Sequence, residues 1–404
     1  MTARLTSTIE SARWTLELRR WLEECAREAG FDDAGVAEVR GPEDVTTAQE
    51  SARYTGWVEA GRAGEMEYLK RRDEAGVLVR SALQVALPWA RSVVVCALNY
   101  NADAPGSMDA SPPGTGWIAR YAWSGRARED GATAPTDYHD ELLGRLRRIE
   151  EELLARAGCK TRCYVDTGPL VERSMAVQAG LGWIGKNTCV LNQGLGSWLL
   201  LGVIVTSLPV EERAAALDGA DRCGSCTRCI DACPTGALLG TEEIGGPREM
   251  DASRCIAYLT IEKKGVIDVG LREGMGRQVF GCDICQDVCP WNRKAPIGDR
   301  EGMQARQELI NPALDWLAAM DAKEFKRRFK GSPLERTGRK RLRRNVAIAM
   351  GNRGEERFMA QLDEWRAGED AVLAEAAEWA RARILARRDA ARGKCGRGEA
   401  SNHS

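Results

Sequence analysis

Seven cysteines in two tight runs, with an eighth between them, constrain this chain more than any other feature. The first run reads Cys223-Gly-Ser-Cys226-Thr-Arg-Cys229-Ile-Asp-Ala-Cys233-Pro234. Two-residue gaps, then a three-residue gap, then Cys-Pro is the bacterial pattern for iron–sulfur cubanes. The second run, Cys282-Asp-Ile-Cys285-Gln-Asp-Val-Cys289-Pro290, lacks its leading cysteine, and Cys255 can fill that place. Two-residue gaps let successive thiolates wrap one cubane, while the cysteine before proline swings to the other. The spacing thus assigns Cys223, Cys226, Cys229 and Cys289 to one 4Fe–4S cluster. Cys233, Cys255, Cys282 and Cys285 take a second. Such a chain moves electrons one at a time.

Structural zinc also uses Cys-x-x-Cys pairs. It needs only four ligands, and rarely shows three cysteines at two-residue gaps followed by Cys-Pro, twice. A disulfide framework fits less well. Met1 to Ala12 is polar and has no apolar signal core, and close cysteines in a cytosolic chain favour metal. The other cysteines (Cys25, Cys96, Cys159, Cys163, Cys189, Cys395) read as packing or surface residues.

A length of 404 residues allows two or three domains. No apolar stretch is long enough to cross a bilayer, so a cytoplasmic protein is expected. The net charge of −1 gives no global field favouring nucleic acid. Locally, Lys326 to Arg344 holds ten Lys/Arg and one acid, Glu335. That run suits phosphate neutralisation or a solvated helix face equally. Histidine occurs only as His139 and His403, which argues against histidine-ligated metals and a Ser-His-Asp triad.

The patterns predict helices over Trp14 to Ala29 and Tyr138 to Ala157, and a helix over Pro169 to Ala179 with proline in its first turn. Strands are expected at Ala34 to Val39, Ser92 to Asn99, Thr161 to Val165 and Ser197 to Thr206. Asn101 to Pro135 reads mainly as loop, with an ordered piece near Trp117 to Trp123. Alternating helices and strands come first, then a ferredoxin-like insert, then helices to about Arg388. The tail from Gly393 is expected to be disordered.

Gly180-Leu-Gly182-Trp-Ile-Gly185-Lys186 matches the dinucleotide fingerprint, and nearly the phosphate loop. Both need a strand before the glycines and a helix after. The expected order here is helix then strand, and Asn187 replaces the Ser or Thr. A tight helix-to-strand connection is the preferred reading. Asp166, at a strand end, could hold or donate a proton, though helix capping explains an Asp before Pro169 better on residues alone. Arg173 could clamp an anion, or be a surface arginine. Lys186 could touch a ligand, or simply be solvated. Tyr138 and His139 open a helix, where capping explains them equally well.

Taken together, Val165-Asp166-Thr-Gly-Pro-Leu-Val-Glu-Arg173, Ala179-Gly-Leu-Gly-Trp183-Ile-Gly-Lys186-Asn187 and the Cys223 to Pro234 run resemble the epoxyqueuosine reductases. Arg254-Cys255-Ile-Ala-Tyr258, Phe280-Gly281-Cys282 to Gln286, Cys289-Pro290-Trp291-Asn292, Gly331-Ser-Pro333 and Leu342-Arg-Arg344-Asn345 fit as well. The resemblance implies an α+β protein in four parts. Residues 1–215 form an α/β cobalamin-binding catalytic domain, and 216–300 a ferredoxin-like module with two 4Fe–4S clusters. Residues 301–392 form a helical, HEAT-like, basic region that contacts tRNA, and 393–404 a tail. It implies reduction of epoxyqueuosine to queuosine at the tRNA wobble position, the last step of queuosine biosynthesis, by a monomer fed by an external one-electron donor. Asp166 then resembles the family's proton donor, with its pKa raised by burial against the corrin. Arg80, Arg173, Lys186 and Asn187 fall where the family contacts corrin or active site. The family binds corrin with no protein histidine on cobalt. Ser124 to Thr136 is an insertion relative to the family pattern, near the expected substrate mouth.

Two rivals remain at this point. A reductive dehalogenase acting on a small molecule shares the architecture, but is typically exported. Arg19-Arg20 lies inside a helical pattern, not before an apolar signal. A ferredoxin-type carrier would leave some two hundred N-terminal residues unused.

Overall fold

The computed structural model describes residues 12–211, 222–240 and 248–398. Its organising element is a four-stranded sheet ordered Asp33–Glu38, Ser92–Asn99, Leu199–Thr206, Thr161–Tyr164. Ser92–Asn99 is buried throughout, as its unbroken apolar run demands. Its alternate side chains serve two layers. Val94, Cys96 and Leu98 pack with helices Leu16–Glu28 and Tyr138–Ala157. Val93, Val95 and Ala97 pack on the other face against Ala176 of Glu172–Gln178 and against Leu83 and Leu87. Close approach is built in at Gly202, where a Cβ would stand 2.9 Å from Leu146.

Every pairing in this sheet is antiparallel. The alternation of helices and strands, expected to give an α/β domain, therefore forms one without any parallel pairing in its main sheet. Tyr138–Ala157 and Ser92–Asn99 have the bounds expected. The next helix does not. It spans Glu172–Gln178, so Pro169 lies outside it in a turn that the Asp166 loop requires.

The insertion is not loop. Ser124–Ala127 and Thr133–Pro135 form a hairpin, and Gln304–Ala305 pairs on its other side. Gly131, with φ 77°, makes the turn.

The ordered piece at 117–123 joins the sheet to the cysteine module. Trp117 and Ile118 pair with Gln278 and Phe280. The Trp117 indole N–H and the Arg120 backbone N–H both donate to Asp283, at 3.0 and 2.7 Å. C-terminal helices Leu314–Ala319, Ala322–Phe329, Pro333–Arg353, Met359–Arg366 and Ala371–Gly398 share a core with this module. The last of these runs beyond residue 393, where a tail was expected, and 399–404 lie outside the described residues. Among the described residues no helix is long and apolar enough to cross a membrane.

Candidate functional site

The eight cysteines gather as two sets. Gly224, with φ 49°, lets the chain turn after Cys223, and Cys226 N–H closes the turn on the Cys223 carbonyl at 3.0 Å. Cys229 follows in the short helix Arg228–Asp231. Cys223, Cys226, Cys229 and Cys289 line one cavity of about 270 Å³, with Lys186, Asn187, Arg222, Arg228 and Trp291. Burial first, then the Cys289 and Cys223 thiols, push Cys229 up to about 11. The second set is enclosed more deeply. Burial and the Cys255 thiol hold Cys282 well above the ordinary thiol range, with Cys233 also nearby. Cys285 faces Cys282 and Cys255. Among the described residues no three His, Cys, Asp or Glu side chains converge tightly enough for a single metal ion. Four thiols around one cavity suit a group with several metal atoms.

Cys189, a packing residue on its sequence context, is placed differently by the fold. It hydrogen-bonds Cys285 and has Cys255 and Cys289 as further neighbours, so it stands between the two sets. No spacing rule could show this, because Cys189 is far from both runs in sequence.

Asp166 follows the Thr161–Tyr164 strand with φ 59°. Left-handed backbone is tolerated by Asp better than by most residues. The following helix has Val171 as its N-cap, with no side-chain bond. Capping, the simpler reading of the residues, is thus not its role. Instead the Tyr138 hydroxyl donates to Asp166 Oδ2 at 3.1 Å, and His139 Nε2 stands 4.0 Å from the same oxygen. The side chain is 68% exposed. The expected burial is not supplied by the chain's own atoms.

Tyr138 and His139 are fixed by the helix they open. Asp137 caps it, accepting from His139 N–H at 2.9 Å, and also lies 2.9 Å from His139 Nδ1. Burial works against the Asp137 charge, but the His139 hydrogen bonds and Arg336 outweigh it and hold the carboxyl below its usual range. Arg336, from the basic run, reaches Asp137 Oδ2 at 3.1 Å and His139 Nδ1 at 3.0 Å. On the other side, Tyr138 packs edge-on to Tyr121 at 5.8 Å, and Tyr121 meets Phe280 at 6.0 Å. Phe280 is two residues from Cys282, so aromatic rings bridge the Asp166 loop and the inner thiol set.

The predicted contacts divide. Arg80 lies over Tyr68 at 5.8 Å, and both Arg80 and Asp166 are electrostatic neighbours of Glu172 and Tyr68. Arg173 donates to the Thr188 carbonyl at 2.5 Å. Lys186 donates to the Gly224 carbonyl at 2.6 Å and, with Asn187, walls the outer cysteine cavity instead of the Asp166 loop. The glycine motif is the helix-to-strand connection expected. It runs from Glu172–Gln178 to Trp183–Ile184. At Gly182 a Cβ would lie 2.0 Å from the Leu191 carbonyl.

Sequence reasoning missed Glu172. Burial, then the Asp166 charge, push its carboxyl up to about 7, and Oε1 has no partner among the described residues. A lone acid after Leu170-Val171 gives no signal of this.

The basic run splits by function. Arg344 is buried and donates to the carbonyls of Leu259, Lys263 and Gly265. Arg341 and Arg343 likewise donate to backbone carbonyls. Lys326, Arg327, Lys330 and Lys340 remain exposed.

Comparison with known proteins agrees with this arrangement. Residues 222–292 match a 4Fe-4S double cluster binding domain, and residues 80–167 match the model described as Epoxyqueuosine reductase QueG, DUF1730. The epoxyqueuosine reductase of Xanthomonas campestris pv. campestris is 38% identical over 88% of this chain and 93% of its own length. The chain belongs to the epoxyqueuosine reductase family. The Escherichia coli (strain K12) epoxyqueuosine reductase is 32% identical over 93% of this chain and 91% of its own. A crystal structure of epoxyqueuosine reductase with an epoxyqueuosine-modified tRNA-Tyr stem loop superposes with a TM-score of 0.76. It is 29% identical and covers 91% of this chain and 90% of that one. A Bacillus subtilis epoxyqueuosine reductase, captured with a catalytic aspartate loop swung out of the active site, gives 0.75 at 29% identity. Its coverage is the same, 91% and 90%.

Proposed function

We propose that this chain reduces the epoxide of epoxyqueuosine in tRNA to the alkene of queuosine, with Asp166 as proton donor. The observation that carries the reading is the Asp166 carboxylate, presented openly on a left-handed turn and joined through Tyr138, Tyr121 and Phe280 to the inner thiol set. The catalytic aspartate loop of the Bacillus subtilis relative supports the role of Asp166.

The donor sets fit the implied redox groups. Cys223, Cys226, Cys229 and Cys289 would hold one 4Fe–4S cluster, and Cys233, Cys255, Cys282 and Cys285 the other. Deeply enclosed thiols favour the neutral form, and a bound metal cluster is what would offset that. For cobalamin, Glu172 Oε1 is the informative atom: it is buried with Asp166, Arg80 and Arg173 as its charged neighbours, and has no partner among the described residues. An acceptor there suits the carboxamides that rim a corrin. His139 is engaged by Asp137 and Arg336, consistent with a corrin held without histidine on cobalt. When bound, cobalamin supplies the low-valent metal that opens the C–O bond, with electrons arriving singly through the clusters.

The reaction consumes two electrons and two protons and releases the epoxide oxygen as water. Asp166 delivers a proton to that oxygen. The Tyr138 hydroxyl orients the carboxylate, and His139, held by Asp137, returns a proton to Asp166 from solvent. Residues 1–215 would form the catalytic domain, 216–300 the two-cluster module, and 301–392 the tRNA-contacting region. There Lys326, Arg327, Lys330 and Lys340 would neutralise backbone phosphates. A tRNA substrate would suit a cytoplasmic enzyme. Supplying anaerobically reconstituted protein with an epoxyqueuosine stem loop and, separately, a chlorinated phenol tests this. Loss of one oxygen from the nucleoside, with the phenol untouched, is expected. Dechlorination with an unaltered nucleoside would overturn the reading.

A further inference from the structure

We propose that the surface around Cys223, Cys226, Cys229 and Cys289 is the docking site for the external electron donor, and that this donor is a small acidic one-electron carrier protein. The inference rests on the two-cluster reading above. It adds where electrons enter and what kind of partner brings them.

Depth comes first. The residues between the outer cysteines, Gly224, Ser225, Thr227 and Arg228, are exposed. The residues beside the inner cysteines, Ile256, Asp283, Ile284 and Gln286, are buried. Exposed residues also flank the inner set, Pro234 beside Cys233 and Arg254 beside Cys255, but three of the four outer cysteines sit in an exposed stretch that lines an open cavity, which makes the outer set the more accessible to a donor protein. The inner set, through Phe280, Tyr121 and Tyr138, is the one that meets the Asp166 loop. Electrons therefore enter and leave at opposite ends of the thiol array.

Charge comes second. Lys186, Arg222 and Arg228 line the outer cavity itself. Arg293 and Lys294 follow Trp291, which lines it too, and both are exposed. Over the segments 222–231 and 289–294 the sole acid is Asp231, which is bonded to Thr227. The chain as a whole has a net charge of −1, so this cationic patch is a local departure. Arg228, Arg293 and Lys294 make no side-chain hydrogen bond or ion pair with the described residues. Trp291, backed by the buried Trp183 with ring centroids 4.9 Å apart, gives the patch an aromatic centre. Cations around such a centre steer an acidic partner and fix its orientation.

The tRNA is less well suited to this face. Its expected phosphate contacts lie on the Lys326 to Lys340 stretch, whose Arg336 already touches the Asp137–His139 pair. In the proposed step, one reduced carrier gives up one electron per encounter and leaves oxidised, while the outer cluster is reduced by one. Two encounters supply the two electrons of one turnover.

The test is stopped-flow reduction of the reconstituted clusters by a reduced, acidic 2Fe–2S ferredoxin across a salt series. Reduced methyl viologen, a small cation, is the parallel reductant. Wild type and the double variant Arg293→Glu/Lys294→Glu are compared, with Arg293→Glu alone as a second, separate variant. With ferredoxin the variants should lose about tenfold or more in second-order rate at low salt, and their salt dependence should flatten. Viologen reduction should not slow, and cluster electron paramagnetic resonance signals and stem-loop affinity should be unchanged. Wild-type ferredoxin rates in both variants would overturn the proposal. So would wild-type protein that ferredoxin cannot reduce. Loss of stem-loop affinity with intact ferredoxin rates would reassign the patch to RNA. Cluster reduction is read without tRNA, so a failure of epoxide chemistry in viologen-driven assays counts against the functional reading alone.

Discussion

Asp166 combines two properties that a structural carboxylate does not need: left-handed backbone and an open side chain. Replacing it by Asn keeps the shape and removes the proton. Turnover of an epoxyqueuosine stem loop should fall by about 10²- to 10⁴-fold, with iron and corrin content unchanged. Activity within a few fold of wild type would remove its assigned role. His139→Gln should slow turnover less, change the pH profile and respond to added imidazole. A profile identical to wild type would argue against proton return through this ring. Glu172 makes a separate prediction about stability. Its carboxyl is raised from 4.5 to about 7 in the fold by burial. Between those values the folded chain keeps a proton that the unfolded chain releases. The stability this group contributes is therefore full below pH 4.5 and is lost as pH rises towards 7. Glu172→Gln should remove that loss, changing the slope by up to about 1.4 kcal/mol per pH unit. Urea unfolding of both proteins at several pH values measures it, and parallel curves would contradict it.

At the scale of elements, the basic run shows why charge counts mislead. Helix Pro333–Arg353 is broken at Gly338, where φ is 71°. Before the break Arg336 turns to the Asp137–His139 pair. Beyond it, Arg341, Arg343 and Arg344 close carbonyls of neighbouring segments. The triple variant Lys326→Glu/Lys330→Glu/Lys340→Glu should weaken stem-loop binding and reduce the salt slope by about one for each phosphate left unneutralised. Arg344→Met should leave that slope alone and cost about 3 kcal/mol of stability, since several buried carbonyls lose their donor. The reverse pattern would show that the exposed lysines are only a solvated face. The inserted hairpin was legible in principle. Asp130-Gly131 is a strong two-residue turn signal, but the surrounding Gly, Pro and Ser hid the short strands.

Across the whole molecule, local signals survived and long-range ones did not. Ser92–Asn99 and Tyr138–Ala157 follow from an unbroken apolar run and from helical spacing. The antiparallel strand order does not, because it depends on pairings between segments many residues apart, such as Ser92 with Thr206. The same limit governs the site. Cysteine spacing points to both thiol sets, since most of the ligands lie close in sequence. Cys189 and Arg336 reach the site only through the tertiary fold, and Glu172, though it lies in the Val165 to Arg173 motif, is buried only by that fold. If the second set is held as proposed, Cys255→Ala should cost about four irons per chain while sparing the outer cluster. Loss of both clusters, or of neither, would contradict the division.

Joint iron and corrin analysis of anaerobically isolated protein tests the central claim most directly. The account predicts about eight irons per chain and tight retention of added cobalamin, seen in its visible spectrum. About four irons per chain, or a spectrum indifferent to cobalamin, would contradict it.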